Sequence, residues 1–119
     1  MEIKEDLNKN IQDNLKYILS VVAKDLKKAT SLEEKVYLEL SKNEIIKYLN
    51  YVYKIIKSWQ DYLKKEQIDL IIKDYKKIES IISELELCLA DLDDEFQLEG
   101  ISFALFSIGK ILVNKEEQL

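Results

Sequence analysis

The sequence contains no histidine and no arginine, so all 18 of its basic residues are lysines. Without histidine it lacks the one side chain whose unperturbed pKa lies near neutrality, and with it the commonest general base and metal ligand. Without arginine it has no bidentate fork for phosphate, carboxylate or guanine. A low-GC genome favours Lys, Ile, Asn and Tyr codons and would produce part of this bias, but the chemical limits hold whatever its origin. Cys88 is the single cysteine, which rules out an intramolecular disulfide and a cysteine metal cage and suits a reducing compartment. Proline is absent and there are only two glycines. Strand proteins of this size place Gly, Pro, Asn or Asp in many turns, so helix is the economical reading.

Two further things are missing. The N-terminus, Met1-Glu2-Ile3-Lys4-Glu5-Asp6, has no basic region followed by an unbroken apolar run, so no secretion signal is expected. The most apolar stretch, residues 101–113, falls short of the roughly 20 residues that span a bilayer and includes Lys110. A cytoplasmic protein is the expectation. With 47% hydrophobic and 34% charged residues over 119 positions, the chain has the balance of one globular domain with a single core.

What is present is helical periodicity. Leu7, Ile11, Leu15, Ile18, Val22 and Leu26 fall on one side of a first helix. Ser31 with Glu34, and Ser41 with Glu44, have the spacing of capping boxes. Residues 32–40 therefore read as a short separate helix. Ile45, Leu49, Val52, Ile56, Trp59 and Leu63 form a regular seam in what should be the central helix, and Tyr48, Tyr51, Ile55 and Tyr62 widen its apolar arc. A second seam runs Ile68, Ile71, Tyr75, Ile78, Ile82, Leu85, Leu89, Leu92, Phe96 in unbroken heptads. The two seams are out of phase across Lys64-Lys65-Glu66-Gln67, where the chain either reverses or continues as one long helix with a stutter. Compactness favours reversal, although the tetrapeptide has no strong turn residue. Gly100 marks the expected break before a last helix whose residues Phe103, Ala104, Phe106, Ile108, Ile111 and Leu112 make it apolar nearly all round, fit for the core. Residues 113–119 read as a frayed tail. The fold expected is an all-α, single-domain antiparallel helical bundle of four to five helices spanning residues 1–119.

Charge is unevenly placed. Between Lys77 and Lys110 lie eight acids, Glu79, Glu84, Glu86, Asp91, Asp93, Asp94, Glu95 and Glu99, and no base. The net charge of −5 is lodged in the C-terminal half. A solvated helix face accounts for such a run, but solubility alone favours mixed signs, and a one-signed field steers a basic partner. Glu79, Glu84, Glu86, Asp91, Asp93, Asp94 and Glu95 are the candidate partner-binding acids. They lack the EF-hand loop pattern and the Glu-x-x-His of bundle di-iron sites, so neither a metal nor another cofactor is expected. A second candidate surface is aromatic: Tyr48, Tyr51, Trp59 and Tyr62, with Lys47, Lys54 and Lys57 nearby. Core packing with hydroxyls reaching the surface is the simpler account of it, and the acidic balance argues against direct nucleic-acid binding. Cys88 beside Leu85 and Leu89 reads as a small buried hydrophobe with no histidine to activate it.

No catalytic motif is present, and no enzyme is expected. Size and composition are similar to those of many small helical proteins of low-GC bacteria and their phages. The reading that fits is a non-enzymatic module, monomeric or weakly dimeric, that engages a basic protein partner, as an immunity protein, antitoxin or phage-encoded inhibitor of a nucleic-acid-handling protein would. The alternative is a structural subunit that self-associates through the 68–96 heptad seam.

Overall fold

The amphipathic stretches fold as four helices, and the structure, a computed structural model, describes residues 2–32, 41–89 and 96–117. The helices are α1 (Glu2–Thr30), α2 (Lys42–Lys64), α3 (Ile68–Cys88) and α4 (Leu98–Glu117). No strand occurs among the described residues. Each helix packs on two others: α1 on α2 and α4, and α3 on α2 and α4. The diagonal pairs do not meet, so the four stand in a ring around one core. The molecule measures 52 × 21 × 20 Å, a rod.

Why the helices begin and end where they do is visible in local chemistry. Ser41 caps α2: its Oγ accepts the Glu44 N–H at 3.2 Å and its hydroxyl donates to Glu44 Oε1 at 3.1 Å, which satisfies an amide that the helix leaves free. Ser31 stands just past the end of α1. Its hydroxyl turns back to the Lys27 and Lys28 carbonyls and closes α1. The short helix expected at 32–40 lies, from residue 33, outside the described residues.

At 64–67 the chain does reverse, and the device is a Schellman motif built without glycine. The Gln67 N–H donates to the Tyr62 carbonyl at 2.8 Å and the Glu66 N–H to Leu63 at 3.2 Å. Glu66 sits at φ 58°, the left-handed conformation that this motif requires and that glycine normally supplies. Two helices thus replace the single stuttering one.

The core is close to the expected one along α2 and α3. Ile45, Leu49, Val52, Ile56, Trp59 and Leu63 are buried on α2, and Ile71, Ile78, Ile82 and Leu85 on α3. Four expectations need correction. On α1 the stripe drifts, so Asp25 and Ala29 are buried where Leu26 was expected and Leu26 is half-buried. The 68–96 heptads outlast their helix, since α3 ends at Cys88, and Phe96 is buried just ahead of α4. Gly100 lies inside α4 rather than at a break, and α4 continues to Glu117, through most of the expected tail. The fourth concerns the outer side of α4, which is not buried.

Both glycines of the chain serve close approach. A Cβ on Gly100 would collide with the Tyr17 hydroxyl of α1, and one on Gly109 with the Tyr75 hydroxyl of α3. The two tyrosines lie across the α4 backbone where a side chain would otherwise stand. Tyr75 uses the proximity to donate to the Leu105 carbonyl at 2.8 Å. Burial and the neighbouring Glu79 push its hydroxyl pKa up to about 12, so it stays a donor across the ordinary pH range.

Candidate protein-binding face between α3 and α4

The α4 sequence carries two parallel stripes. Leu98, Ile101, Leu105, Ile108 and Leu112 recur at steps of three and four and are buried, together with Ala104 and Ile111. Glu99, Phe103, Phe106, Lys110 and Val113 recur at the same steps on the other side. The stripe that contains Glu99 and Lys110 must face water, because burying both charges costs far more than exposing two phenylalanines. Phe103 is accordingly 66% exposed, Phe106 57% and Val113 53%. The expectation that Phe103 and Phe106 enter the core is therefore wrong. Two strongly exposed phenylalanines on adjacent turns form a patch rather than a scatter.

A trough runs beside this stripe, along the line where α3 meets α4. Its middle is lined by Glu79, Ser83, Glu86, Glu99, Ser102 and Phe103, with Phe106 and the edge of Leu105. It continues past Glu79 and Phe106 to Tyr75, Gly109, Lys110 and Val113. At its other end it passes Glu86 and Glu99 to Leu87, Phe96 and Tyr17. Leu87 is 79% exposed there. Glu86 accepts a hydrogen bond from the Ser102 hydroxyl, which ties this acid across the seam. Lys110 Nζ lies 4.8 Å from the centre of the Phe106 ring, so that ring already holds a cation over its face.

Of the acids expected to form a face, Glu79 and Glu86 are brought together in this trough, seven residues apart on one side of α3. Glu84 is exposed but does not line it. Asp91, Asp93, Asp94 and Glu95 lie outside the described residues. Glu99, on α4, joins the two α3 acids. Among the described residues no group of three or more His, Cys, Asp or Glu side chains is placed to hold a metal ion. No helix there is long and apolar enough to cross a membrane.

The aromatic stripe of α2 is a poorer surface than its composition implied. Trp59 is fully buried, stacked on Tyr75 with ring centres 6.3 Å apart, and a partner cannot reach it. Its indole N–H finds no hydrogen-bond partner among the described residues. Tyr48, Tyr51 and Tyr62 are half-buried against the core. Lys77 Nζ stands 5.1 Å from the centre of the Tyr51 ring, much as Lys110 stands over Phe106. Cys88 is half-buried.

One group was not foreseen at all. Asp25 is fully buried, and its two carboxylate oxygens accept the Gln97 N–H at 3.2 and 3.3 Å. Gln97 is the residue whose carbonyl takes the first bond of α4, from Ile101 N–H at 3.3 Å. Desolvation raises the Asp25 pKa above the usual carboxylate value, and the Gln97 bond and the Lys28 charge offset only part of that. The carboxylate belongs to the start of α4 and is a structural cap. Searches against protein-family models, curated proteins and solved structures found no match to this chain.

Proposed function

We propose that the chain is a non-enzymatic protein-binding module, an antiparallel four-helix bundle that presents the α3–α4 trough to a basic protein. The observation that carries this reading is the juxtaposition of exposed Phe103 and Phe106 with Glu79, Glu86 and Glu99 along one seam. Aromatic anchors supply binding energy and an acidic border supplies orientation and fast encounter. The antiparallel arrangement draws support from paired contacts: Tyr75 meets Leu105 while Glu86 meets Ser102, and Asp25 meets Gln97 while Tyr17 meets Gly100. A surface of this kind suits an immunity protein, antitoxin or inhibitor whose target handles nucleic acid and is itself basic. Self-association through the 68–96 seam has less in its favour, because Ile71, Ile78, Ile82, Leu85 and Leu89 are already buried within the chain.

The reading is tested by affinity capture from the native host with wild-type protein and with Phe103→Ser/Phe106→Ser in parallel. A basic protein retained by wild type, released by salt and absent from the variant lane is the expected result. Equal recovery on both baits would remove this face from the interaction.

A further inference from the structure

Resting on that reading, we infer that the occupant of the α3–α4 trough is a basic amphipathic helix lying along the seam. Shape comes first. The trough is a row of three adjoining depressions, which share Glu79 and Phe106 at one junction and Ser83, Glu86 and Glu99 at the other. From Leu98 to Val113 it follows α4 for about 22 Å, at 1.5 Å rise per residue, which is the length of a helix of about four turns. A groove between two neighbouring helices is also where a third packs its ridge of side chains.

The chemistry of the walls sets the chemistry of the occupant. Phe103, Phe106 and Val113 stand at steps of three and seven on α4, with Leu87 at the far end. Such a row is met by apolar side chains spaced three and four apart on one face of a helix. Glu79, Glu86 and Glu99 border the same row and call for lysine or arginine flanking that face. Other occupants fit less well. A second copy docked by the same face about a two-fold axis would set one trough bordered by three acids against another, with Lys110 as the one cation to offset them, and like charges oppose that pairing. An anionic lipid surface meets the same repulsion.

The test uses a fluorescein-labelled 18-residue peptide of leucine and lysine in amphipathic order, and an isomer of identical composition whose order leaves no apolar face. Anisotropy is measured with wild type, with Phe103→Ser/Phe106→Ser, and with Glu79→Gln/Glu86→Gln/Glu99→Gln. The substituted phenylalanines are exposed, and an unchanged Trp59 emission spectrum confirms the fold of each variant. Wild type should bind the amphipathic peptide saturably and at least about tenfold more tightly than the isomer, as an anchored rather than purely ionic contact requires. The serine variant should lose that margin, and the glutamine variant should bind more weakly with a flattened salt dependence. Equal, salt-sensitive binding of both peptides would overturn helix docking while leaving a basic partner in place. No binding of either peptide would overturn both. A wild-type dimer in sedimentation that the serine variant abolishes would assign the trough to a second copy instead.

Discussion

The carboxylate of Asp25 in α1 holds the backbone N–H of Gln97, the residue on which α4 begins. In a capping box this service comes from a glutamate within the same helix. Here it comes from another helix, so the start of α4 and its register against α1 are fixed together. A negative group at a helix N-terminus is favoured by the helix dipole, which explains how a fully buried acid is tolerated.

Because burial raises the Asp25 pKa in the fold, the native state binds a proton more readily than the unfolded chain at pH values just above 3.8. Native protonation in that window means that stability falls as pH rises through it. The free energy of unfolding of wild type minus that of Asp25→Asn should therefore be larger at acid pH than at neutral pH. Chemical denaturation followed by Trp59 fluorescence at several pH values measures it. A difference that is constant, or that grows with pH, would mean that the Gln97 bond and Lys28 outweigh desolvation.

Gly109 and Tyr75 make a second such pair. In an open helix, Gly→Ala stabilises by about 1 kcal/mol. At Gly109 the new Cβ would drive into the Tyr75 ring and displace its hydroxyl from the Leu105 carbonyl. Gly109→Ala should instead destabilise, by about 1–3 kcal/mol as overpacking does. Adding Tyr75→Phe should recover part of the loss, because the oxygen nearest the Cβ is gone. Thermal melts of wild type and the two variants decide it, and a stabilised single variant would show that the ring moves aside freely.

Glu66 carries the left-handed turn between α2 and α3 and is exposed. A residue with a Cβ is strained in this conformation and glycine is not. Glu66→Gly should therefore stabilise the protein by up to about 1 kcal/mol, against the usual direction of a glycine substitution. A lower midpoint in urea for the variant would imply that the Glu66 side chain contributes more than its backbone conformation costs.

These pairs also mark how much the sequence could disclose. The α2 and α3 seams were legible because a helix buried on one side must repeat its apolar residues, and Ile45 to Leu63 and Ile71 to Leu85 do so without interruption. The reversal at Glu66 was hard to place because it relies on a strained glutamate where the usual glycine would have announced it. Asp25 was hidden for a related reason: it occupies an apolar position in the α1 stripe, and the amide that justifies it is supplied by α4. Gly100 was misread because a glycine that makes room for Tyr17 looks in sequence like a glycine that ends a helix. The face of α4 was readable in principle. Glu99 and Lys110 share the stripe of Phe103, Phe106 and Val113, and those charges mark it as the outer one. Counting apolar residues around the helix without asking which stripe held the charges sent Phe103 and Phe106 inward. For the acidic run, heptad spacing brought Glu79 and Glu86 to one face, but its meeting with Glu99 depends on how α3 and α4 pack.

The central claim, that the α3–α4 trough is the binding face, is tested most directly by titrating the ¹⁵N-labelled protein with the amphipathic leucine–lysine peptide and following backbone amide shifts. The account predicts shifts concentrated in residues 79–87 and 98–113, strongest near Phe103 and Phe106, and absent from the Phe103→Ser/Phe106→Ser variant. Shifts concentrated instead around Tyr48, Tyr51 and Tyr62 of α2 would contradict it.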